Sequence, residues 1–294
     1  MAVAAREDRR LAAIGLMLLA FLLFTGIDSA AKWLVRSGLP ASEVVLFRYA
    51  GHLAVAAGLI LPREGLRLFP SPGAALRGLF LAGGTFFNFF ALKYLPLTVT
   101  VSIFFAAPLL VCALSVPLLG ERVGPRRWAA IGVGFLGVLI VTRPWGASFH
   151  WAMGLSVAAL CCASMYFVMT RILAGVDNPG TQQFYAGLTG VVVALPAVLL
   201  GWAWPADAVG WLCLGLIGVL GWAGHQVAIV AHRFAPASVL APFVYVQIVY
   251  MTASSWFIFD TAPDVWVLTG AGVVMAAGLY IWLRERQLAR AGRG

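Results

Sequence analysis

The sequence has few charged residues. Asp, Glu, Lys and Arg make up 11% of its 294 residues, whereas a soluble domain contains roughly 25%. So few charges could not cover a water-soluble surface, because hydrophobic residues make up 62% of the chain. Apolar runs of about 20 residues recur, and a helix of that length spans the hydrocarbon core of a bilayer. The composition predicts an all-α membrane protein with many spans.

Catalytic and cofactor-binding signatures are also lacking. The chain contains no H-E-x-x-H, G-x-S-x-G or P-loop sequence, so zinc proteolysis and ATP hydrolysis lack the residues that they require. We therefore expect no enzyme activity, no cofactor and no metal, and keep a membrane enzyme acting on lipid-linked substrates as the alternative. The four cysteines lie in apolar runs without metal-ligand spacing and are expected to be small core residues: Cys112, Cys161, Cys162 and Cys213.

Ten apolar runs are interpreted as membrane spans. The first follows a basic N-terminus and is too long for a cleaved secretory signal, so we expect it to be retained as a helix. Short turns separate the runs, and none could hold a soluble domain. The predicted spans are residues 11–35, 42–61, 74–93, 98–119, 127–143, 151–173, 181–201, 209–231, 237–258 and 264–283.

Basic residues are distributed unevenly between the two ends of these spans. Of the 20 Lys and Arg residues, 15 fall on the side of the N-terminus and the C-terminal tail, Arg77 among them. Since Lys and Arg accumulate in cytoplasmic loops, both termini are predicted to be cytoplasmic, as an even number of spans requires. Orientation thus explains the net charge of +9, and no nucleic acid is expected as a partner.

A pattern in the first half of the chain returns 140 residues later. Between Ala91 and Val141, Pro96 opens an apolar helix that ends at Gly120-Glu121, and a glycine-rich helix follows. Pro236 opens the corresponding helix of the second half. Because each copy holds five spans, an odd number, the second copy would cross the membrane upside down. Inverted repeats that enclose a site near the midplane are common in transporters.

The stretch Ala91–Val141, with its proline-broken helix, Gly-Glu turn and glycine-rich helix, resembles the EamA repeat of the drug/metabolite transporter superfamily. The resemblance implies two five-helix repeats, residues 1–145 and 146–294, around a central cavity in a bacterial inner membrane. Where the Gly-Glu turn is usual, the second copy departs from the pattern and has Asp260 and Thr261.

Within this superfamily, the aromatic-rich spans are similar to those of YddG-type aromatic amino acid exporters. This implies an alternating-access exporter of aromatic or bulky neutral amino acids and related small metabolites. The alternative cargoes are S-adenosylmethionine, cysteine derivatives and cationic drugs. A cationic drug would normally need an exposed carboxylate in the cavity, and only Asp28 could serve, so a neutral or zwitterionic cargo is favoured.

Polar residues inside the spans are candidate site residues, because lipid makes them costly to bury. Thr85 and Asn88 lie one turn apart, and His225 follows Thr85 by 140 residues, so polar residues recur at the same depth in both copies. In the ninth span, Phe243, Gln247, Tyr250 and Ser254 have the spacing of one helical face. We predict a cavity wall, with a structural tie between helices as the alternative. The predicted substrate-binding residues are Thr85, Asn88, Trp222, His225, Gln226, Phe243, Gln247 and Tyr250.

Charged residues in the first two spans form a second set. Asp28 is the only carboxylate well inside an apolar run, and Lys32 lies four residues later, a spacing that suits an ion pair. Arg48 could pair with Asp28 or Glu43, or extend to the outer surface. We predict a charged pair or gate formed by Asp28, Lys32 and Arg48. The alternative is that they only neutralise one another near the outer interface.

Prolines and glycines in the paired helices suggest motion and close packing. Pro108 and Pro242 each remove a backbone hydrogen bond, which predicts kinks that are either static or allow helix halves to tilt. Glycines in the fifth and tenth spans permit close helix contact, either within the chain or in a homodimer. The expected partners are the lipid bilayer, a small-molecule substrate and a second copy of the chain.

Overall fold

The computed structural model describes residues 2–64, 72–120, 124–143, 145, 149–173, 176, 179–199, 201–234 and 240–291. These residues form helices and turns, with no strand among them. Helices suit a lipid environment because each one satisfies its own backbone hydrogen bonds. Glu121 and Pro236, singled out from the sequence, lie outside the described residues.

Eleven α-helices and one 3-10 helix are formed by the described residues. The 3-10 helix leads directly into α10. The bounds are α1 Ala2–Arg36, α2 Ala41–Glu64, α3 Pro72–Leu92, α4 Leu97–Phe104, α5 Ala107–Leu119, α6 Pro125–Thr142, α7 Ala152–Ile172, α8 Pro179–Val198, α9 Ala208–Phe234, the 3-10 helix Ala241–Val246, α10 Gln247–Phe257 and α11 Val265–Ala291.

Every predicted span coincides with helical structure, so the all-α fold class is confirmed. By length and apolar character, six segments of the described chain could cross a membrane, and Trp128–Thr142 is a shorter apolar helix. The count of ten spans therefore stays a prediction. The six segments are Leu11–Arg36, Pro72–Leu92, Leu97–Leu119, Ala152–Thr170, Ala208–Ala231 and Val265–Arg284.

The fourth and ninth predicted spans are both interrupted. Two turn residues, Phe105 and Ala106, separate α4 from α5, and Pro108 lies at the start of α5. Proline lacks the N–H that would continue the ladder of hydrogen bonds, which accounts for a break at this point. In the ninth span, the 3-10 helix that contains Pro242 replaces an α-helical turn before α10 begins.

These interruptions follow the 140-residue interval seen in the sequence. The first residues of α5 and α10 are Ala107 and Gln247. Gly120 follows the end of α5 and Asp260 follows the end of α10. Their φ angles are 68° and 48°, both in the left-handed region. Asp is one of the few residues other than Gly that adopts this conformation readily. The second half thus keeps the backbone conformation of the turn although its residue differs.

Helix packing has matching pairs. Helix α1 packs on α9 and α3 packs on α7, while α2 packs on α9 and α3 packs on α8. Two further pairs, α2 with α8 and α6 with α11, join equivalent helices. We exchange each helix of the first half with its equivalent in the second half: α1 with α7, α2 with α8, α3 with α9 and α6 with α11. The exchange turns the pair α1–α9 into α3–α7 and the pair α2–α9 into α3–α8, and it leaves α2–α8 and α6–α11 unchanged. This is the pattern expected of two related halves.

The pair α6–α11 is held close at Gly137 and Gly270. A Cβ atom at Gly137 would lie 2.9 Å from the carbonyl oxygen of Gly270, so a larger residue would push the helices apart. Gly132 and Gly272, on the same two helices, have no such neighbour within 4 Å. The close-packed glycines serve contact within the chain, and the open ones remain available for the predicted homodimer.

The cysteines are less buried than expected. Cys161 is exposed, and Cys112, Cys162 and Cys213 are only partly buried. The prediction that all four are core residues is therefore wrong. Burial could not be inferred from apolar character alone, since a helix in lipid carries apolar side chains on its outer face as well.

Candidate functional site

A cavity of about 210 Å³ lies in the centre of the bundle. Helices α1, α3 and α7 supply most of its lining, and α2, α4, α9 and α10 contribute one residue each. Six of the lining residues are aromatic: Phe24, Phe80, Phe89, Phe104, Tyr166 and Phe167. The polar lining residues are Asp28, Arg48, Thr85, Asn88, His225 and Gln247.

Asp28 and Asn88 connect two walls of this cavity. The Nδ2 atom of Asn88 on α3 donates a hydrogen bond of 2.9 Å to Oδ1 of Asp28 on α1. One turn earlier on α3, the hydroxyl group of Thr85 donates to the carbonyl oxygen of Leu81 and lies 2.8 Å from the hydroxyl oxygen of Tyr49. The polar residues of α3 thus contact both α1 and α2.

Lys32 has different partners from Asp28. Its ammonium group donates to the carbonyl oxygens of Leu92 and Leu95, where α3 ends. It also lies 5.4 Å from the centre of the Phe259 ring. Within the described residues, the ion pair predicted between Asp28 and Lys32 is not formed. The four-residue spacing places Asp28 and Lys32 on one face of α1. Each of them bonds to a group on or just after α3 and not to the other.

Arg48 is buried beside the cavity, with 6% of its surface exposed. Its guanidinium carbon lies 4.6 Å from the centre of the Tyr49 ring. Nε and Nη1 have no hydrogen-bond partner among the described residues. Glu43, one of its expected partners, accepts a hydrogen bond of 3.0 Å from the backbone N–H of Ala203. The alternative in which Arg48 extends to the outer surface is therefore wrong.

His225 and Gln247 bring the second half of the chain to the cavity. The His225 ring lies 5.1 Å from that of Phe24 and 6.4 Å from that of His52, measured between ring centres. Gln247 is the first residue of α10. Thr85 and Asn88 line the cavity from the first half. The cavity therefore brings together four of the eight predicted substrate-binding residues.

The other four predicted contacts, Trp222, Gln226, Phe243 and Tyr250, are not among the lining residues. The expected stripe on the ninth span is divided because the 3-10 helix has three residues per turn and shifts Phe243 out of phase with Gln247. Phe243 packs instead against the small apolar cluster around Met17 and Leu240.

Tyr166 and its partner Arg77 were missed in the sequence. The distribution of basic residues predicts that Arg77 is a solvated charge on the cytoplasmic side. In the structure its side chain is buried, with 5% of its surface exposed. Its Nη2 atom donates to the hydroxyl oxygen of Tyr166 at 2.7 Å, and its Nε atom donates to Oγ1 of Thr170 at the same distance. A charge near the start of a helix is usually solvated, so the sequence held no signal that this one enters the bundle.

A second cavity, of about 400 Å³, lies between α5, α6 and α7. Its lining is almost entirely apolar, with residues such as Leu109, Phe135, Val138 and Leu160. A binding site for a polar metabolite needs a few placed polar groups to orient the ligand. The smaller central cavity has such groups and is therefore the candidate site.

Comparisons with known proteins find similarity to membrane transporters. Residues 11–143 match the model of the EamA-like transporter family. A riboflavin transporter of Vibrio cholerae is 28% identical, covering 94% of this chain and 95% of its own. An S-adenosylmethionine uptake transporter of Rickettsia bellii is 27% identical, covering 93% and 94%. A pseudopaline exporter of Pseudomonas aeruginosa is 27% identical, covering 81% and 85%.

A solved structure supports the fold. This crystal structure superposes with a TM-score of 0.65 and covers 94% of this chain and 98% of its own. The sequence identity is 23%, so the similarity concerns the fold alone.

Proposed function

Because the chain belongs to the EamA-like family of membrane transporters, we propose that it carries a small aromatic metabolite across a bacterial inner membrane. The observation that carries this proposal is the central cavity, in which six aromatic residues surround a few polar groups. Aromatic walls bind a flat ring, and placed polar groups fix its orientation. By this proposal Thr85, Asn88, His225 and Gln247 contact the cargo.

The proposed mechanism is alternating access by two inverted five-helix repeats, residues 1–145 and 146–294. The matching helix pairs support it, as do the starts of α5 and α10 at equivalent positions. If the halves exchange conformations, the cavity opens first to one side and then to the other. The breaks beside Pro108 and Pro242 are the proposed hinges, since fewer backbone hydrogen bonds resist bending there. Both termini are proposed to be cytoplasmic.

Two classes of cargo are proposed. The first is a metabolite with a heteroaromatic ring, which the relatives named for riboflavin and S-adenosylmethionine favour. The second is an amino acid with an aromatic or bulky neutral side chain, which the presence of both Asp28 and Arg48 in one cavity favours. The relatives include an S-adenosylmethionine uptake transporter and a pseudopaline exporter, so the proposal covers movement in either direction.

Counterflow into proteoliposomes tests the proposal. Purified protein is reconstituted with unlabelled riboflavin, S-adenosylmethionine, L-tryptophan or L-phenylalanine inside, and uptake of the labelled compound from outside is followed. We expect one class to accumulate transiently and to be recovered chemically unchanged. Recovery of a modified compound would favour the membrane enzyme, and no accumulation of any of the four would contradict the proposal.

A further inference from the structure

Arg48 is the least compensated charged group at the central cavity. The guanidinium group keeps its positive charge under all ordinary conditions. Arg48 is 94% buried, since 6% of its surface is exposed, and two of its nitrogen atoms lack a hydrogen-bond partner in the described part of the chain. A buried N–H left unpaired costs about 1–3 kcal/mol, and more when the group is charged. In native proteins such a group either serves a function or has its bonding completed by another molecule, an ion or a water.

The surroundings of Arg48 leave this completion to a ligand. The Tyr49 side chain contacts the guanidinium group and stabilises the cation, but it leaves Nε and Nη1 without an acceptor. Neither expected carboxylate accepts a hydrogen bond from Nε or Nη1 of Arg48. Asp28 attracts the Arg48 charge but accepts its hydrogen bond from Asn88, and Glu43 accepts one from the backbone N–H of Ala203. On the facing helix α9, Gly221 presents no side chain, and a Cβ there would lie 3.9 Å from Cγ and Nε of Arg48.

We infer that Arg48 binds an acceptor oxygen of the transported molecule, either a carboxylate oxygen or a carbonyl oxygen on a ring. This inference rests on the proposed function and specifies the polar group that the cargo must carry. The aromatic residues then hold the flat part of the cargo, while Arg48 fixes its polar end. Asp28 lines the same cavity and keeps the local charge balanced, so a neutral or zwitterionic cargo is preferred to an anion.

Matched ligands test this contact in the wild-type protein. Binding to the protein in lipid nanodiscs is measured for L-tryptophan and for tryptamine, which lacks the carboxylate. It is also measured for riboflavin and for 4-thioriboflavin, in which sulfur replaces a ring carbonyl oxygen. A hydrogen bond to a charged group corresponds to about 10–100-fold in affinity. We expect the oxygen-bearing ligand of one pair to bind more tightly than its partner by this factor. A preference for L-tryptophan over tryptamine would indicate a carboxylate oxygen, and a preference for riboflavin over 4-thioriboflavin would indicate a ring carbonyl oxygen.

Variants then assign the preference to Arg48. Arg48→Gln should weaken binding of the oxygen-bearing ligand about 10–100-fold and change binding of its partner by less than about 2-fold. Arg48→Lys should fall between these values, because an ammonium group keeps the charge but not the guanidinium geometry. Arg143→Gln, on a residue that pairs with Asp264 away from the cavity, is the control.

The outcomes separate the two proposals. If the wild-type protein binds one pair and Arg48→Gln weakens both members equally, the role of Arg48 is wrong while the carrier remains. Equal wild-type affinity within each pair overturns the role of Arg48 even if the variant does not fold. If the wild-type protein binds none of the four ligands, the inference about Arg48 fails, while counterflow of S-adenosylmethionine and L-phenylalanine decides separately whether the carrier proposal stands.

Discussion

The side-chain amide of Asn88 donates a hydrogen bond of 2.9 Å to the carboxylate of Asp28, which joins α3 to α1 at the wall of the central cavity. The two residues are 60 positions apart in the chain. Asp28 is the only carboxylate among the residues that line this cavity. The bond therefore fixes the position of the negative charge that the cargo meets.

This bond predicts energetic coupling between the two positions. Asp28→Leu and Asn88→Leu should each lower the free energy of unfolding, because each leaves a polar partner unpaired. The double variant should be less destabilised than the sum, by about 1–3 kcal/mol. Chemical denaturation in detergent measures all three variants, and strictly additive effects would show that the bond contributes nothing.

The two lysines of the chain differ in their surroundings. Lys32 is 4% exposed and bonds to carbonyl groups at the end of α3, whereas Lys93 is exposed. An amine-reactive reagent should therefore modify Lys93 in the folded protein and leave Lys32 unmodified, as read by mass spectrometry.

Substitution of the buried lysine should lower the stability of the protein more than substitution of the exposed one. Lys32→Met removes the donor to the end of α3 and should destabilise the protein by about 1–3 kcal/mol. Lys93→Met is the matched control and should stay within about 0.5 kcal/mol of the wild type. Equal modification of both lysines, or equal stability of both variants, would contradict the position of Lys32.

The fold could be predicted from the sequence further than the site could. Apolar runs define helices because lipid leaves the backbone no other partner, so even the interrupted helices at Pro108 and Pro242 lay within predicted spans. Thr85, Asn88, His225 and Gln247, which line the central cavity, could be selected from the sequence because a polar side chain at membrane depth is costly to bury. The partners were harder to predict, since Asp28 bonds to a residue 60 positions away and not to Lys32.

The aromatic part of the site left no usable signal. With 37 aromatic residues in the chain, nothing distinguished Phe24 or Phe104 from those that face lipid. Arg77 was missed for the opposite reason, because its position near a helix end is typical of a solvated charge. In both cases the side chain's direction decides its role, and that direction depends on packing between distant helices.

The contact of α6 with α11 predicts a difference between two glycines of one helix. Gly137→Leu should destabilise the protein, because the new side chain meets the backbone of α11 at Gly270. We expect a loss of about 1–3 kcal/mol, as overpacking usually costs. Gly132→Leu points into open space and should leave stability unchanged. Thermal denaturation of both variants measures this, and similar losses would refute the assigned packing.

The open glycine Gly132 also provides a test of the predicted homodimer. If the dimer uses the open glycines of α6 and α11, Gly132→Leu should be monomeric at concentrations where the wild type is dimeric, because the new side chain keeps the two copies apart. Light scattering in detergent gives the mass of each protein. An unchanged mass would show that Gly132 takes no part in self-association.

The most direct test of the carrier proposal compares two glutamines of the second half. Gln247 lines the central cavity and Gln226 does not. In counterflow of the compound that the wild type transports best, Gln247→Ala should raise the half-saturating concentration roughly 3–10-fold, as the loss of one hydrogen bond predicts. Gln226→Ala should behave like the wild type. Wild-type transport by Gln247→Ala, or the same loss in both variants, would show that this cavity does not hold the cargo.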